Sequence, residues 1–218
     1  MKILEIKSLT ISDIKVIKFA RFKDNRGYFT EQFRKSDLIG NPKLNSMKNI
    51  DFVQGNESYS KKGAIRGFHF QWNPYMGKLV RIISGQMIDF ALDIRKGSQT
   101  HGKIIAYEMS TSKEKEYDEL IWIPPGFAHG FCFQKNSIVE YLCSGEYNSK
   151  CEAGISPLSK DIDWSLCDKK LINKFKKIVD ITNLITEKDK TSFSLKEWDN
   201  DERAKNFIYS DLKERGIC

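Results

Sequence analysis

Between Lys78 and Arg95 the chain reads KLVRIISGQMIDFALDIR, and its hydrophobic positions recur with a period of two. Ile88, Phe90, Leu92 and Ile94 fall on one face, and Met87, Asp89, Ala91 and Asp93 on the other. Successive side chains of a strand point to opposite faces, so this alternation predicts a half-buried β-strand. Ser84-Gly85-Gln86 predicts a hairpin turn to the strand before it. The same reading predicts strands at 16–21, 28–34, 64–71, 103–109, 119–123, 129–134 and 137–143, separated by the turn-rich stretches DNRG, NPYMG, IPPG and QKNS. Many short strands at regular spacing imply a sandwich or barrel. From about residue 160 the texture changes: LINKFKKIVD (171–180) and LKEWDNDERAKNFIYSDLKERG (195–216) predict polar helices. The expected architecture is mainly β, with a barrel over 1–170 and a mostly helical C-terminal extension over 171–218.

Composition changes this picture little. Hydrophobic residues make up 40% of the chain and charged residues 30%, which is ordinary for a globular domain. No run approaches the roughly 18 apolar residues of a membrane span, and MKILEIKSLTISDIKV at the start has no continuous apolar stretch of a signal peptide. A cytoplasmic protein is expected. The five cysteines, Cys132, Cys143, Cys151, Cys167 and Cys218, form no CxxC pair, and free thiols in a reducing compartment fit them best. A net charge of +7 suits an anionic partner, but the lysines are scattered and no nucleic-acid-binding motif is present. No nucleic-acid or membrane partner is expected.

Charge falls on an unexpected face in two places. Asp89 and Asp93 sit opposite the stripe Ile88, Phe90, Leu92 and Ile94, which is expected to form a core between sheets. The charged face is then either solvated or the lining of a polar cavity, and Lys78, at the start of the preceding strand, can reach the same side. The second place is IRGFHFQ (65–71), where Arg66 and His69 interrupt an apolar strand. His69 fits either a buried imidazole satisfied by hydrogen bonds or a general acid/base. Arg66, whose fork suits phosphate, and Gly67, which permits close approach of a backbone, favour an anion site. His129, after a Pro-Pro-Gly turn, faces a cavity or caps a loop, and His101 is expected in an exposed loop. Three scattered histidines make a poor metal site, since catalytic metals ordinarily have three protein ligands, and no metal is expected.

DNRGYFTE (24–31), FVQGNESYSKKGAIRGFHFQ (52–71), GKLVRIISGQMIDFALDIRKGSQTHG (77–102), IWIPPGFAHGF (121–131), EAGI (152–155) and ITEKDK (185–190) together resemble the dTDP-4-dehydrorhamnose 3,5-epimerase family, over about residues 10–195. The resemblance implies a cupin-type jelly-roll barrel that works without metal or cofactor, as a homodimer, on nucleotide-diphosphate 4-keto-6-deoxy sugars. It implies inversion at C3, C5 or both, in deoxysugar or surface-polysaccharide biosynthesis. The keto group acidifies the adjacent C–H bonds, a base takes one proton, and a proton returns on the opposite face. Carried over residue by residue, His69 matches the general base, Asp189 its dyad partner, and Lys78 the donor to the keto oxygen, with Asp89 orienting Lys78. Arg26, Glu31, Gln54, Asn56, Arg66, His129, Glu152 and Lys188 match substrate-contacting positions, and Tyr147 a residue stacked on the nucleobase. One position departs from the pattern. Where the family has a catalytic tyrosine acid, VEYLCS (139–144) has Cys143. The thiol donates the proton, or Tyr141, Tyr147 or a water replaces it, or Cys143 is a buried filler and the reaction is narrowed or lost. A 3,4-ketoisomerase on the same substrates and a non-catalytic sugar-nucleotide binding protein are the alternatives. The nucleotide stays open among thymidine, cytidine and guanosine diphosphates.

Overall fold

Thirteen strands and five α-helices are found among the described residues, which are 1–217 of this computed structural model; Cys218 lies outside them. The strands are β1 (Ile3–Ser8), β2 (Lys15–Ala20), β3 (Phe22–Asp24), β4 (Gly27–Phe29), β5 (Gln54–Ser60), β6 (Ile65–Gln71), β7 (Lys78–Ser84), β8 (Gln86–Asp93), β9 (Ile104–Ser110), β10 (Tyr117–Ile123), β11 (Phe127–Phe133), β12 (Ser137–Cys143) and β13 (Glu152–Gly154). The helices are α1 (Lys35–Ile39), α2 (Lys169–Ile181), α3 (Glu187–Lys190), α4 (Leu195–Asn200) and α5 (Tyr209–Glu214). Two antiparallel sheets form the expected jelly-roll barrel, in the orders β1-β2-β10-β7-β12-β5 and β13-β6-β11-β8-β9; β3 and β4 make a separate hairpin. No helix among the described residues is long and apolar enough to cross a membrane.

The strand period sorts side chains into three layers. Between the sheets lie Val80, Ile82, Met87, Ala91, Phe131, Phe133 and Val139. Outside the six-stranded sheet, Phe19, Leu79 and Trp122 pack against Leu38, Leu44 and Met47 of the segment before β5. Outside the five-stranded sheet lies the largest cluster, and it corrects one expectation. Ile88, Phe90, Leu92 and Ile94 do not face the other sheet; they pack under Phe175, Leu195, Trp198, Phe207 and Leu212 of the C-terminal region. The reason is that both faces of β8 are buried. The stripe needs an apolar cover, which the extension supplies, while Asp89 on the other face points into the barrel.

The segment 195–216 is not one helix. A capping box at Ser194 and Glu197 starts α4, Asp201 ends it and caps a 3₁₀ turn over Glu202–Phe207, and α5 follows. Aspartate at such a position bonds its own downstream backbone N–H and competes with helix continuation. Nor does the strand expected over 28–34 persist beyond Phe29. Four further strands escaped the pattern: β1, β3, β5 and β13. β5 is an edge strand with polar alternate residues, Gln54, Asn56, Ser58 and Ser60, and so lacks an apolar face to announce it.

Candidate active site

A cleft of two lobes opens between the sheets, with volumes of about 600 and about 400 Å³. Three side chains line both lobes: His69 from the five-stranded sheet, and Lys78 and Tyr141 from the six-stranded one. Arg66, His129, Thr186, Lys188 and Asp189 line the larger lobe. Gln54, Asn56, Gln71, Cys143, Tyr147 and Glu152 line the smaller.

Arg66 and His69 both reach the cleft because β6 bulges. In a regular strand, residues three apart face opposite sides. Here the register runs from His69 opposite His129 to Arg66 opposite Phe131, three residues along β6 against two along β11. An extra residue of this kind flips the side-chain alternation. Gly67 makes the irregularity possible: its φ is +119°, and a Cβ on it would lie 2.6 Å from the Cα of Gly130. Gly130 is equally confined, since a Cβ there would lie 2.4 Å from the carbonyl oxygen of Arg66. The close approach that Gly67 permits is to the backbone of the neighbouring strand.

His69 Nε2 stands 2.6 Å from Asp189 Oδ1. Asp189 comes from α3, whose first turn is capped by Thr186, and its Oδ2 also accepts the Gly67 backbone N–H at 3.4 Å. Burial opposes ionisation of Asp189, but the bonds from His69, Gly67 and Thr186 outweigh it and hold the carboxyl below the usual range. An ionised carboxylate accepts, so Nε2 carries the proton and Nδ1 keeps its lone pair. Across the cleft, burial pushes the Lys78 ammonium pKa down, against the attraction of Cys143, Asp89 and Glu152. Asp89 and His129 form a buried pair, with His129 Nε2 3.0 Å from Asp89 Oδ2. Burial pushes Asp89 up and His129 down, so the pair favours fewer charges. Among the described residues Asp89 Oδ1 has no hydrogen-bond partner, which leaves an acceptor buried beneath the cleft beside Lys78. Asp93, by contrast, is at the barrel end, bonded by Arg95, Ser98 and Thr100.

The rim carries cations and an aromatic. Arg66 is exposed, with Nε donating to Ser60 Oγ at 2.9 Å. Glu152 Oε1 accepts from Tyr147 Oη at 2.9 Å and from Lys188 Nζ at 2.5 Å. Tyr147, 57% exposed, is held by its backbone N–H on Gln54 Oε1 at 2.8 Å, and Gln54 donates to Asn56 Oδ1 at 3.0 Å. Cys143 is buried at 1% exposure, and its sulfur accepts from Asn56 Nδ2 at 3.6 Å. Burial pushes its thiol pKa up, more than Lys78 and Asn56 pull it down.

Three residues expected at the site line neither lobe: Asp89, which lies beneath the cleft, Arg26 and Glu31. Arg26 is in the β3–β4 hairpin, paired with Asp24, and Glu31 pairs with Arg34 and the N-terminal amine. His101 is not a free loop residue: its Nε2 is 3.1 Å from Asp199 Oδ1 of α4, tying the extension to the barrel. Among the described residues no three His, Cys, Asp or Glu side chains gather to hold a metal ion. Ser58, Ser60, Gln71 and Thr186 join the lining without having been singled out in the sequence. The strictly alternating polar residues of β5 are the signal that could have found the first two, since a strand polar on its inward face must meet a wet cavity.

The family model described as dTDP-4-dehydrorhamnose 3,5-epimerase matches residues 8–197. A dTDP-4-dehydrorhamnose 3,5-epimerase of Shigella flexneri is 36% identical over 171 residues, 75% of this chain and 88% of the relative. One of Sinorhizobium fredii is 38% identical over 152 residues, 68% of this chain and 73% of the relative. Among solved structures, the dTDP-6-deoxy-D-glucose-3,5-epimerase of Legionella pneumophila, in complex with dTDP-4-keto-L-rhamnose, superposes with a TM-score of 0.74 at 30% identity, covering 94% of this chain and 97% of that one.

Proposed function

We propose a specific reaction for this chain, which belongs to the dTDP-4-dehydrorhamnose 3,5-epimerase family and is an isomerase: inversion of C3, C5 or both in a nucleotide-diphosphate 4-keto-6-deoxy sugar. The observation that carries it is the His69–Asp189 pair at 2.6 Å, facing Lys78 across a shared cleft. His69 Nδ1 takes a proton from the carbon beside the ketone. Asp189 fixes the tautomer and balances the imidazolium that forms. The C–H electrons move onto the keto oxygen, where the Lys78 ammonium meets the developing enolate. A donor aimed at charge that exists only during reaction lowers the barrier rather than merely tightening binding. A proton returned to the opposite face completes the inversion, with no net oxidation. Asp89 and His129 keep Lys78 in place from below.

Arg66 and Lys188 are placed to take the diphosphate, the first through its planar fork, and Tyr147 to stack on the base, with Gln54, Asn56 and Glu152 supporting it. Arg26 and Glu31 reach substrate only in a homodimer, from the β3–β4 hairpin of the second copy and the segment that follows it. The hairpin's exposed aromatics, Phe22, Tyr28 and Phe29, at 47%, 47% and 68% exposure, support such a docked position. The free thiols Cys132, Cys143, Cys151 and Cys167 support the cytoplasm as its compartment.

The test is incubation in deuterated buffer with a panel of nucleotide-diphosphate 4-keto-6-deoxy sugars, followed by NMR. Deuterium at C3 or C5 with inversion is expected. A migrated carbonyl would mean a ketoisomerase instead, and tight binding without exchange a binding protein. Sedimentation as a monomer with full nucleotide affinity would overturn the role of Arg26 and Glu31.

A further inference from the structure

Tyr147 belongs to a loop, not to a sheet. Residues 144–151 join β12 of the six-stranded sheet to β13 of the five-stranded one, and so pass from one wall of the cleft to the other. An exposed ring on a free loop would have to be ordered by its ligand, and that ordering weakens binding. Here the backbone at Tyr147 is already held, by two glutamines from opposite walls. Gln54 of β5 accepts the Tyr147 N–H at 2.8 Å. Gln71 of β6 takes the groups on either side: its Nε2 donates to the Glu146 carbonyl at 2.9 Å, and its Oε1 accepts the Asn148 N–H at 2.8 Å. The second amide hydrogen of Gln71 goes to the Pro74 carbonyl at 2.9 Å. That carbonyl lies in the turn after β6, which the loop meets again: Asn148 Nδ2 donates to the Asn73 carbonyl at 2.7 Å and the Ser144 N–H to the Gly77 carbonyl at 2.9 Å. Gln71 is 3% exposed and lines the smaller lobe, yet its three bonds all go to backbone. It also stands two residues after His69 on the same strand, and β13 pairs with both, Gly154 with His69 and Glu152 with Gln71. One strand therefore carries the base and holds the loop that presents the Tyr147 ring.

We infer that Gln71 is a positioning residue for the nucleotide: it touches none of the reacting atoms, but fixes the backbone on both sides of Tyr147 so that the ring stands ready before the nucleotide arrives. The inference rests on the epimerase reading and on the stacking at Tyr147 proposed above. Lys78 does not depend on Gln71 in the same way. Its backbone is paired on both sides within the six-stranded sheet, opposite Ile123 of β10 and Cys143 of β12. The dyad is likewise independent, because Asp189 is held by α3 and bonds His69 and Gly67 directly. Loss of Gln71 therefore acts on substrate affinity and leaves the chemical step of bound substrate nearly intact. That is the signature of binding that ground state and transition state share.

The experiment compares Gln71→Leu, Tyr147→Ala and the double variant with the parent protein. Each is titrated with whichever of thymidine, cytidine and guanosine diphosphate the parent binds tightest, and deuterium exchange is followed by NMR under saturating sugar nucleotide. Tyr147→Ala should weaken nucleotide binding about 5- to 150-fold, the range of one base stacked on an aromatic ring. Gln71→Leu should weaken it about fivefold or more by freeing the same ring, with exchange at saturation within about threefold of the parent. If Gln71 acts through Tyr147, the two losses do not add, and the double variant should bind within about twofold of Tyr147→Ala alone. A merely structural role would lower both variants' affinities independently. Parental affinity in Gln71→Leu, additive losses in the double variant, or exchange at saturation falling as far as affinity would each overturn the inference. Gln71→Glu, which keeps the acceptor for Asn148 but sets an oxygen against two carbonyls, is the second variant should leucine unfold the protein, and its affinity should fall likewise. Unfolding of both would overturn the inference as well, making Gln71 a residue of the fold alone. Parental affinity in Tyr147→Ala would bring down the stacking on which the inference rests, and a parent that exchanges no sugar of the panel the epimerase reading itself.

Discussion

Replacing Asp189 by asparagine keeps shape and removes charge, and the consequences can be worked through atom by atom. The carboxylate serves two donors, His69 Nε2–H at 2.6 Å and the Gly67 N–H at 3.4 Å. Asparagine has one acceptor oxygen, so its amide group meets one of these donors head on. If the oxygen turns to His69, a charge-assisted hydrogen bond becomes a neutral one of about half the strength, and a buried N–H is left unmet at about 1–3 kcal/mol. If the amide N–H turns to His69, it stabilises the tautomer with the proton on Nδ1, the nitrogen that must accept. Either orientation weakens the base. The expected loss in deuterium exchange is about 10²- to 10⁴-fold, equivalent to about 3–5 kcal/mol of barrier. Global stability should fall by about 1–3 kcal/mol. NMR exchange under saturating substrate measures the first and urea unfolding the second. A folded Asp189→Asn protein exchanging within threefold of the parent would refute the dyad.

Three further outcomes are expected. Lys78→Met should lower turnover about 10²- to 10³-fold by removing the enolate donor. It should leave unfolding stability unchanged or raised, because burial disfavours the ammonium in the folded state; turnover within tenfold of the parent would remove Lys78 from the chemistry. Acid should destabilise the fold. Asp189, Glu152, Asp93 and Asp201 have folded pKa values below their unfolded ones, Asp201 held down to about 2 by the Arg203 guanidinium and the Arg203 backbone N–H. Their contribution is present above the unfolded carboxyl range, about pH 4, and lost as pH falls through the depressed folded values. Asp89, pushed up by burial, has the opposite sign and softens the decline. Urea midpoints should therefore drop below about pH 4, less steeply in Asp189→Asn, and a pH-independent midpoint would contradict the paired carboxylates. Trp198→Ala, at a fully buried side chain packed 4.7 Å from Phe70, should cost about 3–5 kcal/mol; an unchanged thermal midpoint would mean that the extension does not support the barrel.

Period and turn chemistry made the barrel legible from β6 to β12, where one or both strand faces are apolar. β1 and β5 were silent for a physical reason: each lies at an edge of the six-stranded sheet, where pairing on one side suffices and no apolar face is required. The misassigned stripe on β8 shows a second limit. Alternation reveals that a strand has an apolar face but not which layer covers it, and here the cover includes Trp164 and Phe175, which meet Phe90 from 74 and 85 positions later. At the site, Arg66 and His69 stood out as polar residues in an apolar strand, yet regular alternation would have separated them. Only the bulge at Gly67, forced by the Gly130 backbone opposite, aims both into one cleft. Asp189 had no local signal at all. In TEKDK it reads as a solvated helix-start residue, and only the resemblance marked it.

That silence follows from how the dyad is assembled. His69 is carried by β6, whose neighbours Phe68 and Phe70 point the other way, into the cluster that the extension covers. Ile185, four residues before Asp189, is buried in the same cluster. The segment is also pinned through its carbonyls, by the Ile65 N–H donating to the Leu184 carbonyl at 3.1 Å and the Ser156 hydroxyl to the Lys190 carbonyl at 3.1 Å. α3 has four residues, too few to hold its own shape in water, so its geometry is borrowed from these anchors. The position of the Asp189 carboxylate is therefore set by packing on the outer face of the five-stranded sheet, while the proposed proton chemistry belongs to the inner face. One strand joins the two: alternate residues of β6 anchor the extension and aim the base. The helical extension thus completes the proposed catalytic centre, because without it the barrel would present His69 without the Asp189 carboxylate that holds its Nε2.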